Sequence, residues 1–156
     1  MNYAKVVIVL NLRSNQNSMK KPWIGLLFTL HHCEAVRPSR LLKANGIHKM
    51  EYIEGLIDKG LVTAFITFKS SSRTRVMRYV KISDKGRALI RELMKLVREH
   101  GLESYIKYKL VNGLYVLDEN SRDLLYALAK IDKTFDRISG HNKQFKKQYM
   151  VETLRR

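Results

Sequence analysis

Hydrophobic residues change their spacing several times along the chain, and each change predicts a new element. The first apolar block, Tyr3 to Leu12, is rich in valine and isoleucine and predicts a buried strand, followed by a polar linker that ends near Ser18. Pro22 suits the start of a helix, and the apolar residues from Trp23 to Leu30 follow it. These residues leave that helix apolar on most sides, so we expect it to be enclosed by the core or by a second subunit.

Two further helices with a tight turn between them are predicted next. A short helix spans Ser39 to Ala44, Asn45-Gly46 forms the turn, and a longer helix runs from Ile47 or His48 to Lys59. Four apolar residues of the longer helix recur at helical spacing and are expected to face inward: Met50, Ile53, Leu56 and Ile57. A short helix, a glycine turn and a longer helix are typical of a helix-turn-helix.

Alternating polar and apolar residues after Gly60 predict a β-hairpin. One strand continues to Phe68, the other ends at Ile82, and Ser83 then suits the N-cap of a helix that runs to about Arg98. No acidic residue lies between Lys69 and Lys81, whereas five basic residues do: Lys69, Arg73, Arg75, Arg78 and Lys81. This cationic tip suits contact with a phosphate backbone, although a solubilising turn would have a similar composition.

The C-terminal third has two interpretations at its start. Asn112-Gly113 favours a hairpin between Tyr105–Val111 and Leu114–Leu117, while a helix extending through Leu110 is the alternative. A helix is then predicted from Asn120 or Ser121 to Ile138. Its apolar residues follow a heptad spacing that favours dimerisation or, alternatively, capping of the chain's own core: Leu124, Leu128, Ile131, Phe135 and Ile138.

The composition of the chain limits the kinds of partner that it can bind. The chain of 156 residues has 30 basic and 14 acidic side chains, a net charge of +16, and ten of the basic residues lie between residues 61 and 100. Such a charge suits a polyanion, and its spread indicates a folded basic surface rather than a basic tail. The apolar run Val6–Leu10 is too short to span a membrane, and Cys33, the only cysteine, allows no intrachain disulfide. We therefore expect a cytoplasmic, nucleoid-associated protein with no membrane partner.

No catalytic or ligand-binding pattern is visible in the sequence. His31-His32-Cys33 has metal-ligand side chains, but adjacent helical residues point about 100° apart and no second cluster completes a site. Neither a phosphate-binding glycine loop nor a nucleophile motif is present. We therefore expect that the protein is not an enzyme and that it binds no metal, no cofactor and no small-molecule ligand.

Two segments carry a resemblance to a known family. Leu56-Ile57-Asp58-Lys59-Gly60-Leu61-Val62 is similar to the junction between recognition helix and wing in winged-helix transcriptional regulators. Val80-Lys81-Ile82-Ser83-Asp84-Lys85-Gly86-Arg87 is similar to the segment that closes the wing in the same proteins. From about Trp23 to Leu93 the chain thus resembles the MarR-like and PadR-like groups and their small archaeal and archaeal-virus relatives. The usual acidic residue of the MarR wing tip is missing here.

The resemblance covers roughly half of the chain and implies a winged helix-turn-helix there. Together with the N-terminal strand and the C-terminal helical extension that the residue pattern predicts, the expected fold is α+β. Residues 1–18 would form the strand and linker, 19–100 the DNA-binding domain and 101–156 the extension. The protein would bind double-stranded DNA as a homodimeric transcriptional regulator, with helix 48–59 in the major groove and the wing 69–78 on the backbone or minor groove. The expected contact residues are Ser39, Arg40, Lys43, His48, Lys49, Tyr52, Lys69, Ser71, Arg73, Arg75 and Arg78.

Two alternatives remain open at this point. The spread of positive charge also fits sequence-independent binding of DNA or RNA, in an architectural or replication-associated role. The same basic surface could instead bind an acidic protein through a winged-helix interaction module.

Overall fold

The computed structural model describes residues 19–69 and 75–132. The predicted N-terminal strand, the basic tip at 70–74 and everything after residue 132 lie outside the described residues. Within them the protein is α+β, as expected, with five helices and two antiparallel hairpins. The elements are α1 (Lys21–His31), α2 (Pro38–Ala44), α3 (Glu51–Asp58), β1 (Val62–Lys69), β2 (Arg75–Ile82), α4 (Asp84–Glu99), a 3₁₀ turn (Glu103–Tyr105), β3 (Tyr108–Val111), β4 (Leu114–Leu117) and α5 (Glu119–Asp132).

Helix α1 lies at the centre of the core. All residues from Trp23 to Leu30 are buried, because α3, α4, α5 and β4 surround the helix. The sequence prediction that this helix must be enclosed is therefore confirmed, and its own chain encloses it. The core is continuous and includes Leu117 of the second hairpin and Leu125 of α5, so residues up to 132 pack with the helices before them.

The turn between α2 and α3 is tied to α1 by a buried amide. Asn45 Nδ2 donates to Leu41 O (3.0 Å) and to Thr29 Oγ1 (3.3 Å), which satisfies the side chain inside the core. Gly46 adopts a φ of 67°, and the Ile47 amide donates to Leu42 O at 2.9 Å. The predicted glycine turn is thus confirmed.

The prediction that the following helix starts at Ile47 or His48 is wrong by three or four residues. Helix α3 begins at Glu51, so His48 and Lys49 precede it in a non-helical segment. The half-buried Ile47 anchors this segment to the end of α2, and residues 48 and 49 are needed to reach the next helix. Glu51 lies in the first turn, where an acidic side chain suits the helix dipole.

Met50 also differs from its predicted position. It is the N-cap residue of α3 and its side chain is 41% exposed, whereas the helical spacing predicted it to face inward. The other three residues of the predicted stripe, Ile53, Leu56 and Ile57, are buried.

Hairpin 1, formed by β1 and β2, has the predicted strands. Val62 pairs with Ile82 at its base and Lys69 with Arg75 at the far end. Val36, in the segment between α1 and α2, adds an antiparallel bridge to Val80 on the other edge of β2. The sequence did not predict this bridge.

The base of hairpin 1 is closed by the two segments that carry the family resemblance. Ser83 Oγ donates to Gly60 O at 2.6 Å and accepts from the Gly86 amide at 3.0 Å, which caps α4 as predicted. The Ser83 amide donates to Leu61 O at 3.1 Å. These hydrogen bonds join the two segments and so fix the angle between hairpin 1 and α4.

Hairpin 2, formed by β3 and β4, confirms one of the two interpretations of the C-terminal third. Asn112 and Gly113 have φ values of 51° and 78°, as a two-residue turn of this kind requires. Strand β3 begins at Tyr108 and not at Tyr105, because the chain first forms the 3₁₀ turn.

Helix α5 starts at Glu119, one or two residues before the predicted start, and buries a different line of residues. Asp118 Oδ1 accepts from the Ser121 amide at 2.8 Å and so caps the helix. Ser121, Leu125 and Ala129 are buried where α5 packs on α1 and α4, whereas Leu124 and Leu128 are half-buried and Ile131 is 57% exposed. The last two stripe residues, Phe135 and Ile138, lie outside the described residues. Among the helices that the structure describes, none is long and apolar enough to cross a membrane.

Candidate nucleic-acid interface

An open groove of about 590 Å³ separates α2 from the edge of β2. The bridge between Val36 and Val80, with N–O distances of 3.0 and 2.9 Å, holds the two walls together at one end. Residues of α2, of the segment before α3 and of β2 line the groove: Arg37, Pro38, Ser39, Leu42, His48, Met50, Met77 and Arg78. The groove therefore joins parts of the chain that are about 40 residues apart.

Charge and apolar surface are combined in this groove. Arg37, Arg78 and His48 are exposed and supply cationic or donor groups, and Ser39 adds an exposed hydroxyl. Arg37 Nη2 lies 3.7 Å from Met77 Sδ, so its guanidinium crosses toward β2. None of the described lining residues carries a carboxylate. Such a surface can accept an anion without competition from an acidic neighbour.

The exposed face of α3 has the opposite character. Glu51, Glu54 and Asp58 are all exposed, and Glu51 forms a long ion pair of 3.8 Å with Lys49. Tyr52 is half-buried and packs against the core. Carboxylates repel phosphates, so the exposed face of α3 is unsuited to binding them. The basic surface lies before α3 rather than along it.

Arg40 has a structural partner that the sequence did not reveal. Its Nη2 donates to the carbonyl oxygen of Asn112 at 2.7 Å, and the same nitrogen lies over Gly113. Arg40 thereby links α2 to the tip of hairpin 2. This contact occupies one face of the guanidinium that was predicted to contact phosphate.

The other predicted contact residues are divided between several places. Ser39, His48 and Arg78 meet in the groove, while Lys43 is exposed on α2 outside it. The backbones of Lys69 and Arg75 pair at the far end of hairpin 1. Ser71 and Arg73 lie outside the described residues.

An aromatic pair lies on the face of hairpin 1 that also carries Met77. The rings of Phe65 and Tyr79 stack with centroids 5.7 Å apart, and Lys81 Nζ lies 5.7 Å from the Phe65 centroid. Lys81 lies on the same face of β2 as Tyr79 and does not line the groove.

Five of the eight groove residues were not among the predicted contact residues: Arg37, Pro38, Leu42, Met50 and Met77. The extended backbone of Arg37 could have been predicted from the sequence, because a residue before proline is restricted to extended conformations. In the structure Arg37 has φ −66° and ψ 138° and lies beside β2. Met50 was assigned to the core by its spacing. Met77 enters the groove only because the long-range bridge at Val36 brings α2 to β2.

The histidines at the end of α1 do not form a metal site with the described residues. No group of three or more possible ligands occurs in the part of the chain that the structure describes. Burial, with the nearby His32, lowers the pKa of His31, and burial raises the pKa of the Cys33 thiol. Both effects favour the uncharged side chains.

Comparison of the chain with protein-family models, with curated proteins and with solved structures finds no match.

Proposed function

We propose that this protein binds double-stranded DNA through a winged-helix domain and acts as a transcriptional regulator. The observation that carries the proposal is the groove, in which Arg37, His48 and Arg78 converge without a carboxylate among the described lining residues. A sugar-phosphate strand is an extended anion, and arginine side chains on both walls suit its phosphates.

The order of the elements supports the winged-helix part of the proposal. A core helix, a short bridge strand, two helices joined by a glycine turn and a basic hairpin follow one another from α1 to β2. In such a domain hairpin 1 is the wing, and Lys69, Arg73 and Arg75 add positive charge to this part of the sequence. The net charge of +16 strengthens the attraction to a polyanion at long range.

The distribution of charge assigns different roles along the surface. Arg37 and Arg78 would bind phosphates, and His48 would contact base edges beside them. The acidic exposed face of α3 would be held away from phosphates. Base reading would then come from the segment just before α3, which is shorter than the helix 48–59 that the sequence suggested.

A paired charge-removal experiment tests this function. The variant Arg37→Ala/Arg78→Ala removes two charges from the groove, and the control Lys95→Ala/Arg98→Ala removes two exposed charges from α4. Affinity for duplex DNA falls as salt rises, and each lost phosphate contact makes the plot of log affinity against log salt less steep by about 1. The plot for the groove variant should therefore be less steep by about 2. The control should keep the slope of the unaltered protein. Equal losses in both variants would show that binding depends on overall charge and not on the groove.

Sequence-independent binding is the second candidate, and the acidic face of α3 favours it. If Glu51, Glu54 and Asp58 keep the helix away from the bases, the protein has few groups left to read sequence. Competition among a selected duplex, a random duplex and a structured RNA separates the two candidates. A specificity ratio near one would support the second candidate, and a ratio of about 10³ or more would support the regulator.

A further inference from the structure

Hairpin 2 has apolar side chains on both of its faces. Leu114 and Val116 point into the core and are buried, whereas Leu110 and its cross-strand partner Tyr115 point outward and are 65% and 53% exposed. A two-sided apolar hairpin differs from the usual pattern, in which the solvent face of an antiparallel pair is polar. An exposed apolar patch of this kind is typical of a contact surface.

Two further rings extend this outer face toward its base. Tyr108 lies on the same face as Leu110 and Tyr115 but is half-buried and packs against the core, and its cross-strand partner Leu117 is buried. The His32 ring makes an edge contact with Tyr108 at a centroid distance of 4.8 Å. The centroid of Tyr115 lies 6.1 Å from that of His32. Burial lowers the pKa of His32 and raises the pKa of Tyr108 to about 12, so both are neutral at pH 7. We call the surface of His32, Tyr108, Leu110 and Tyr115 the hairpin 2 face.

Charge near this face argues against a nucleic-acid partner and for a second copy of the chain. Residues 103–119 contain two lysines, Lys107 and Lys109, and three carboxylates, Glu103, Asp118 and Glu119. This part of the surface is nearly balanced in a chain whose net charge is +16. Two copies that meet through this part of the surface would not bring their strongly basic surfaces together. The lysines and carboxylates around the apolar residues could form ion pairs between the two copies.

We propose that the hairpin 2 face is the contact surface of a homodimer. An isologous contact would place the uncharged rings and Leu110 at its centre and the charged residues around them, which is the usual anatomy of a protein interface. The heptad stripe of α5 is a weaker candidate in the described residues. Leu124 and Leu128 are already half-buried by their own chain, and only Ile131 is strongly exposed.

The contact would also orient the groove. Arg40, next to the groove residue Ser39, donates to the turn of hairpin 2 at Asn112 O. A dimer built on hairpin 2 would therefore hold the two copies of α2 in a defined relation. This consequence depends on the proposed DNA binding, but the dimer itself does not.

The test measures the mass of the full-length protein in solution, without nucleic acid, across a range of concentrations. The unaltered protein should approach twice the mass of one chain as concentration rises. Leu110→Glu places a charge at the centre of the face and should weaken the dimer at least tenfold, while Leu110→Met should retain it. Ile131→Glu is the matched control, because Ile131 is similarly exposed at 57% but lies on α5; it should leave the dimer unchanged.

The variants separate the possible outcomes. A substitution at an exposed residue is expected to change stability by less than about 0.5 kcal/mol, so Leu110→Glu should keep the circular dichroism spectrum and melting temperature. A monomer at every concentration, a dimer that tolerates Leu110→Glu, or a dimer broken only by Ile131→Glu would each overturn the proposal. A dimer that binds no DNA would refute the proposed function and leave this inference intact.

Discussion

Replacing Gly86 with alanine tests how the base of hairpin 1 is joined to α4. A Cβ atom at this position would lie 2.3 Å from the carbonyl oxygen of Leu61 and 2.7 Å from Cγ1 of Ile82. Ordinary contacts begin near 3.4 Å, so α4 would have to move by about 1 Å away from the Gly60-Leu61 segment. That movement would stretch the hydrogen bonds that Ser83 donates to the carbonyl oxygens of Gly60 and Leu61.

The expected magnitude follows from opposing effects. Alanine favours the helix over glycine by about 1 kcal/mol. Overpacking against a rigid backbone atom costs about 1–3 kcal/mol, and each weakened hydrogen bond costs about 1 kcal/mol more. We therefore expect Gly86→Ala to lower the free energy of unfolding by about 2–4 kcal/mol and the melting temperature by about 4–16 °C.

Equilibrium unfolding in urea, followed by circular dichroism, measures this effect. Arg91→Ala, at an exposed position of the same helix, is the control and should change the free energy of unfolding by less than about 0.5 kcal/mol. A Gly86→Ala variant as stable as the unaltered protein, or more stable, would show that the close approach to Leu61 does not constrain the helix.

Two further predictions concern contacts outside the groove. Arg40→Ala should cost about 1 kcal/mol by removing the bond to Asn112 O, and Gly113→Ala should cost about 1–2 kcal/mol because φ is 78° and its Cβ would lie 2.7 Å from Arg40 Nη2. The double variant should cost less than the sum, since Arg40→Ala also removes the clash; strict additivity in urea unfolding would contradict the contact. His31 has a pKa lowered by burial and by His32, so the unfolded chain binds more protons and stability should fall as pH drops below about 6.5. His31→Gln should reduce that fall between pH 7 and 5, and an unchanged pH profile would exclude His31 as its source.

Local signals in the sequence were sufficient for much of the fold. Asn112-Gly113 indicated hairpin 2 because both residues accept a positive φ, and Ser83 indicated the start of α4 because its hydroxyl can cap a helix. The alternation on either side of the basic tip correctly predicted β1 and β2. These signals depend on residues close together in the chain.

The remaining features depend on contacts between distant residues. The bridge from Val36 to Val80 has no local pattern, yet it forms one end of the groove and brings Met77 to α2. The hydrogen bond from Arg40 to Asn112 O had no local signal either, because the two residues are 72 apart in the chain. Met50 fitted the helical spacing, but the anchoring of Ile47 to α2 delayed the helix and left the methionine exposed. The candidate site was therefore only partly predictable, since Met50 and Met77 line it only because of tertiary contacts.

The salt dependence of duplex affinity tests the central proposal most directly. If the groove and wing neutralise six to ten phosphates, the affinity of the full-length protein for duplex DNA should fall by roughly 10³–10⁵ between 50 and 200 mM salt. The Arg37→Ala/Arg78→Ala variant should show a shallower slope over the same range. An affinity that does not change with salt, or no measurable binding at 50 mM, would contradict the account.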